Sequence, residues 1–282
     1  MTILMTGLCE KGADQIWKQC NDAMYAQGVT WLEEAAYAGD AEAWFFLGHC
    51  YSWGDGAVGF NEKKAYECYL RGASAGSARA VLGALRAGQY DEQMKQSARY
   101  SIEESYRQVR DAAEMGDVYA AWQMGEAVEW EDLADYMPQT ESAREQCLFW
   151  YERAADGGII PAMVKMGKCC QNGTYREKDE KEALRWANQC AASGEVWGLF
   201  QMGEHYRQEE DWEAAFQYDY AAAKQGSSRA MLYLGQMYLN GQGTERDIQA
   251  AVQALEGAAA RNEAESFEEL GNLFYQDELV ER

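Results

Sequence analysis

The chain is poor in proline, histidine and positive charge. Two prolines, Pro138 and Pro161, stand against 27 glycines. That ratio suits many helices ended by glycine turns and argues against a sandwich or barrel of strands. Two histidines, His49 and His205, leave few bases for nucleophilic catalysis. Eight cysteines include no CxxC pair, and with so few histidines no zinc cluster is expected. No run of 18 apolar residues occurs, so no membrane-spanning helix is expected. Met1 to Cys20 shows no basic stretch leading into an apolar one, so no secretory leader is expected. The expected compartment is the cytoplasm, where thiols stay reduced and a buried cysteine acts as a small apolar residue.

Basic residues number 25 and acidic residues 47, a net charge of −22. A field of that sign repels phosphate backbones, so nucleic-acid binding is not expected, and the same holds for anionic membranes. It serves solubility, or it steers a basic partner.

What the chain does contain is an apolar content of 48%, enough for a core, and a repeat. Alanine-rich segments end in glycine at Gly39, Gly76, Gly116, Gly158, Gly194 and Gly226, and in Asn262. Each is expected to be a left-handed helix end, where glycine and asparagine are favoured. Nine residues after most of these ends comes a second mark: Leu47-Gly48, Met124-Gly125, Met166-Gly167, Met202-Gly203, Leu234-Gly235 and Leu270-Gly271. An alanine precedes the glycine by five residues at Ala43, Ala120, Ala162 and Ala230. An aromatic follows it by three at Tyr51, Tyr206, Tyr238 and Phe274. Offsets of three to five share a helical face. A mid-helix glycine costs about 1 kcal/mol against alanine, which close helix packing would offset. Asn61, Ser101, Asp179, Asp211 and Asp247 stand fifteen residues before an end and are expected N-caps.

Each unit therefore reads helix, loop, helix, cap, and such pairs must stack to bury their apolar faces. The unit ending at Gly116 is irregular. Its glycine slot holds Leu85, with Leu82-Gly83 a rival register, and Gly88 to Tyr100 is a long connection. Glu129 to Thr140 is a second one. The expected organisation is an N-terminal capping segment over 1–20, a solenoid over 21–262 and a C-terminal capping helix over 263–282.

The run Ala-x-x-x-Leu-Gly-x-x-Tyr, a glycine loop and then Trp-Tyr-x-x-Ala-Ala resembles Sel-1-like repeats, relatives of the tetratricopeptide repeat. Trp150 to Ala155 carries the second-helix signature, and Ala43 to Tyr51 and Ala230 to Tyr238 carry the first. The resemblance spans about residues 21 to 282. It implies an all-α, right-handed superhelix of about seven helix pairs that acts as a protein-protein scaffold and seldom as an enzyme. Some members staple each repeat with a disulfide. Here the cysteines do not recur at fixed slots, although Cys50 with Cys68, and Cys170 with Cys190, could each lie across one helix pair.

Gly54-Asp55-Gly56-Ala57-Val58-Gly59 matches GxGxxG by letter, but a helix precedes it where a dinucleotide fingerprint needs a strand. No catalytic residue, cofactor or metal is expected. Borrowing tetratricopeptide geometry, the concave slots lie six and three residues before the glycine, and one, four and five after it. They hold Glu42, Phe45, His49, Ser52 and Trp53 in one unit and Tyr119, Trp122, Glu126, Glu129 and Trp130 in another. Further along they hold Trp197, Phe200, Glu204, Arg207 and Gln208, then Arg229, Leu232, Gln236, Leu239 and Asn240. Aromatics beside glutamates suit a basic or amphipathic segment of another protein. The reading is a monomeric adaptor. The alternative is an immunity protein or inhibitor that blocks a toxin or effector. If Trp122 and Trp130 both line this face, removing them should weaken binding and leave thermal stability nearly unchanged.

Overall fold

The computed structural model describes residues 2–19, 22–54, 58–131 and 143–275. Among them the regular elements are helices alone. Asp55 to Ala57, most of the connection that contains Pro138, and the Phe274 side chain lie outside the described residues.

The chain divides into two compact units, Met1–Asp179 and Glu180–Arg282. The first holds α1 (Thr2–Trp17), α2 (Asp22–Tyr37), α3 (Ala41–Trp53), α4 (Glu62–Ala75) and α5 (Ala78–Arg86). A short α6 (Glu92–Ser97) follows, then α7 (Ile102–Glu114), α8 (Val118–Glu129), α9 (Ala143–Asp156) and α10 (Ile160–Asn172). The second holds α11 (Glu180–Ala192), α12 (Val196–Gln208), α13 (Trp212–Lys224), α14 (Ser228–Asn240), α15 (Ile248–Ala259) and α16 (Ala264–Tyr275). Within each unit neighbouring helices of the chain pack on each other as in a tetratricopeptide-like repeat, except that α6 packs on α4 and α5 packs directly on α7.

The caps follow the sequence. Gly39, Gly76, Gly116, Gly158, Gly194, Gly226 and Asn262 all have positive φ, between 62° and 103°. Asn61, Ser101, Asp211 and Asp247 each accept a backbone N–H from the first turn of the helix they precede. Ser101 and Glu104 close a capping box. Ala43, Ala120, Ala162 and Ala230 are fully buried, and so is Ala80. Ser77 caps α5 three residues before Ala80, as Asp40, Asp117 and Ser227 cap their helices three residues before theirs. That register places Leu85 in the glycine slot. The long connection before Tyr100 contains α6, whose Met94 is buried.

The mid-helix glycines meet one fixed position of the second helix, seven residues before the terminal cap. A Cβ on Gly48 would lie 2.6 Å from Tyr69, on Gly125 2.8 Å from Tyr151, and on Gly235 2.6 Å from Leu255. On Gly203 it would lie 2.5 Å from the Asp219 carboxylate. No side chain fits such gaps without movement, which explains why the helix keeps glycine there despite its propensity cost. Gly12 of α1 does the same against Leu32, at 2.8 Å. Leu32 stands seven residues before Gly39. Residues 2–37 thus form a helix pair by the same contact, so the segment read as a cap contributes a first helix.

This contact yields a paired prediction. Gly125→Val should lower unfolding free energy by about 1–3 kcal/mol through overpacking against Tyr151. Gly271→Ala should leave stability unchanged or raise it by up to about 1 kcal/mol, because nothing among the described residues lies within 4 Å of its Cβ position. Chemical denaturation of the two variants checks both.

Candidate functional site

In the first unit the expected concave face is filled from within. Trp17 of α1 is 2% exposed. Its ring centroid lies 5.2 Å from Phe46, 5.6 Å from His49, 5.8 Å from Trp122 and 6.2 Å from Tyr119. The Tyr119 hydroxyl donates to Asp14 at 2.6 Å, which ties α8 to α1. Phe45, His49, Tyr119 and Trp122 are all buried, Trp122 to 4%. The expectation that they face water is corrected for these four: His49, Tyr119 and Trp122 pack against Trp17 of α1, the segment expected to cap the stack, and Phe45 packs against Phe46 and His49.

The acidic slots of this unit each lie beside a basic side chain of the same unit. Glu42 lies 3.6 Å from Arg79 Nε, and Arg79 also pairs with Asp117. Burial still pushes the Glu42 carboxyl up, against the pull of Arg79. Glu126 Oε2 lies 3.9 Å from His49 Nε2. Glu129 pairs with Lys165 and accepts the Tyr151 hydroxyl at 2.7 Å. Trp53 and Trp130 remain at the surface, 48% and 58% exposed. The Arg86 guanidinium sits 5.1 Å from the Trp53 ring and 4.5 Å from the Trp130 ring. The chain's own arginine therefore takes the cation–π position expected for a partner. A narrow cleft of about 390 Å³ remains among Phe45, His49, Trp53, Arg86 and Glu126.

The second unit differs. A cleft of about 1120 Å³ opens among α12, α14 and α16. Its walls include Glu204, Arg207, Gln208, Gln236, Leu239 and Asn240, six of the slots read from the repeat. Phe200 is half-buried beside it, against Tyr233 and Arg207, while Trp197 is half-buried and not among its walls, Arg229 is exposed and Leu232 is buried. Gln242 and Glu269 complete a polar rim, with Trp212 and Tyr233 as apolar wall.

Beneath this cleft lies a buried charge pair. Asp219 is fully buried at the position where other units place Tyr69, Tyr151 or Leu255. It pairs with Arg207, four residues after Gly203, whose guanidinium stacks 3.7 Å from the centre of the Tyr233 ring. The same two slots interact in other units. Ser52 donates to the Tyr69 hydroxyl at 3.2 Å, Tyr151 donates to Glu129, and Leu239 packs in the cluster of Leu255. Polar matches polar and apolar matches apolar. Burial pushes the Asp219 carboxyl up to about 6, although Arg207 beside it pulls the other way.

Other candidate chemistry is quiet. Burial pushes the Cys68 and Cys147 thiols up to about 12, so both are protonated at neutral pH and act as apolar filler. Among the described residues no group of three or more His, Cys, Asp or Glu converges as a metal site. No described helix is long and apolar enough to cross a membrane.

Comparison with known proteins adds to this geometry. The family model described as Sel1 repeat matches residues 23–40, 41–77, 118–159, 160–195 and 228–262. The internal stretches it passes over are those of α5 to α7, and of α12 and α13 with Asp219. An uncharacterised protein of Neisseria meningitidis serogroup B is 28% identical over 174 residues, 61% of this chain. The chain spans only 34% of that relative's length. A Sel1 repeat protein from Oxalobacter formigenes is 22% identical, with 95% of this chain and 86% of that one covered and a TM-score of 0.46. A protective antigen of uropathogenic Escherichia coli strains with an SLR fold is 20% identical, with 89% and 60% covered and a TM-score of 0.51. The likeness to this antigen is one of fold.

Two stability predictions follow from the site. Trp122→Ala should cost about 3–5 kcal/mol as a core deletion, whereas Trp130→Ala should cost no more than about 1 kcal/mol. Thermal melts of the two variants check this. Arg207→Leu and Asp219→Leu should each cost about 3–5 kcal/mol by stranding a buried charge, while the double variant returns near wild type. The folded Asp219 holds its proton to a higher pH than the unfolded chain does. The wild type should therefore gain stability relative to the double variant as pH falls from about 6 toward about 4. Urea titrations across that range read both effects.

Proposed function

The chain belongs to the Sel1 repeat family, and from that premise we propose that it is a scaffold that binds a basic or amphipathic segment of another protein along its first helices. Sel1 repeat proteins are generally interaction scaffolds rather than enzymes. The observation that carries the reading is the second-unit cleft, built by successive first helices and lined by the slots the repeat assigns to that face. Its polar rim and aromatic wall are the usual composition of a protein-binding surface. The net charge of −22 favours a basic partner by steering.

The test is site-specific photo-cross-linking in an extract of the organism that encodes the chain. A photoreactive residue at Trp53, Trp130, Gln208 or Asn240 reports on the first-helix face. The same residue at Tyr220 or Glu256 reports on exposed second-helix positions. One protein captured from first-helix positions and not from the others is the expected result. Capture from the second-helix positions alone would sink the reading. Affinity then separates its two forms. An adaptor loses binding as salt rises, whereas an inhibitor of a toxin or effector holds one folded target tightly through that change.

A further inference from the structure

We infer that the second-unit cleft docks an extended polypeptide segment carrying lysine or arginine, and that the first unit does not. The inference rests on the scaffold reading above and names its site and occupant.

The first argument is space. Trp17 fills the interior of the first-unit face, and the cleft left there is about 390 Å³. The second-unit cleft is about 1120 Å³.

The second argument is charge. Glu42, Glu126 and Glu129 each have a basic side chain of this chain within ion-pair distance. Glu204 and Glu269 on the second-unit cleft form no ion pair among the described residues. Their hydrogen bonds come from neutral amides, Gln201 Nε2 to Glu204 at 3.4 Å and Gln236 Nε2 to Glu269 at 3.0 Å. Arg207 does not offset them, because Asp219 already matches its charge. Two half-buried carboxylates therefore face the cleft uncompensated, and a cationic side chain is the group that completes them.

The third argument is the remaining lining. Gln208, Gln236, Asn240 and Gln242 are carboxamides, each with a donor and an acceptor. That pairing matches the N–H and C=O of a peptide unit. A helical ligand keeps those groups for itself, so the segment they recognise is extended. On the cleft, Arg207 Nη2 is buried without a hydrogen-bond partner. A peptide carbonyl would give that donor an acceptor.

The experiment uses the full chain against a displayed library of random peptides of about 12 residues. The wild type should enrich lysine and arginine. Glu204→Gln/Glu269→Gln should lose that enrichment and bind the best wild-type clone about tenfold more weakly. Glu152→Gln/Glu256→Gln makes the same change in net charge at exposed positions elsewhere and should bind that clone as the wild type does. Unchanged melting temperatures confirm that both variants fold. Enrichment kept by the cleft variant, lost equally by the control, or absent from the wild type overturns the inference. If basic peptides bind but cross-link at Trp53 or Trp130, this site assignment fails while the scaffold reading survives. Failure of the scaffold reading shows separately, as cross-linking of the native partner to second-helix positions alone.

Discussion

The contact on which five of the helix pairs depend is a glycine in the first helix pressed against one side chain of the second. Gly12, Gly48, Gly125, Gly203 and Gly235 all make it, against Leu32, Tyr69, Tyr151, Asp219 and Leu255. The side chain lies almost on the backbone of the facing helix, which holds the two helices at short range. Everything else in the unit is placed relative to that point. The alanine five residues before Gly48, Gly125 and Gly235 is buried by the same approach, and the residue four later is brought over the partner side chain. Gly271 lacks the contact, and no further described helix follows α16 to supply one.

Because the geometry of the contact is fixed, its chemistry is free to vary. The partner slot takes tyrosine, leucine or aspartate. The residue four after the glycine changes with it, to serine or glutamate beside tyrosine, leucine beside leucine, and arginine beside aspartate. A buried polar group without its match costs about 1–3 kcal/mol, so the two slots constrain each other. The next first helix joins in, since Lys165 reaches Glu129 and Tyr233 lies against Arg207. What lines the cleft is therefore set partly by what the second helix buries beneath it.

Much of this was legible in the sequence. The seven left-handed caps, four side-chain N-caps and the buried alanines follow from local chemistry that needs no knowledge of neighbours. Six residues of the second-unit cleft stand at slots taken from tetratricopeptide geometry, whereas Trp212, Tyr233, Met237, Gln242 and Glu269 stand at none of them. The first-unit face was not legible in that way. A slot gives the direction of a side chain, but its exposure depends on what else arrives there. The arriving residue is Trp17, in a segment with no alanine-rich end of its own. Its signal was Gly12, twenty residues before Leu32, as Gly235 stands twenty before Leu255. Read with that spacing, Trp17 falls five after the glycine, in register with Trp53 and Trp130. Cation–π partners were also hidden, because Arg86 is remote in sequence from both of the tryptophans that flank it.

The two units thus use one repeat to opposite ends. In the first, every glutamate slot has a basic side chain beside it and the tryptophan faces hold an arginine, so the face is closed by the chain's own residues. In the second, the one arginine among the described lining residues is matched from below by Asp219, and Glu204 and Glu269 form no ion pair among the described residues. Aspartate in the slot that holds tyrosine or leucine elsewhere is the origin of that difference. With an apolar residue there, Arg207 would be the counter-ion available to Glu204, three residues away on the same helix. With aspartate there, the arginine is held down against Tyr233 and the cleft keeps its negative charge. The aspartate that puts a charge into the core of this repeat is in this way the same residue that keeps Arg207 from offsetting the glutamates of its cleft.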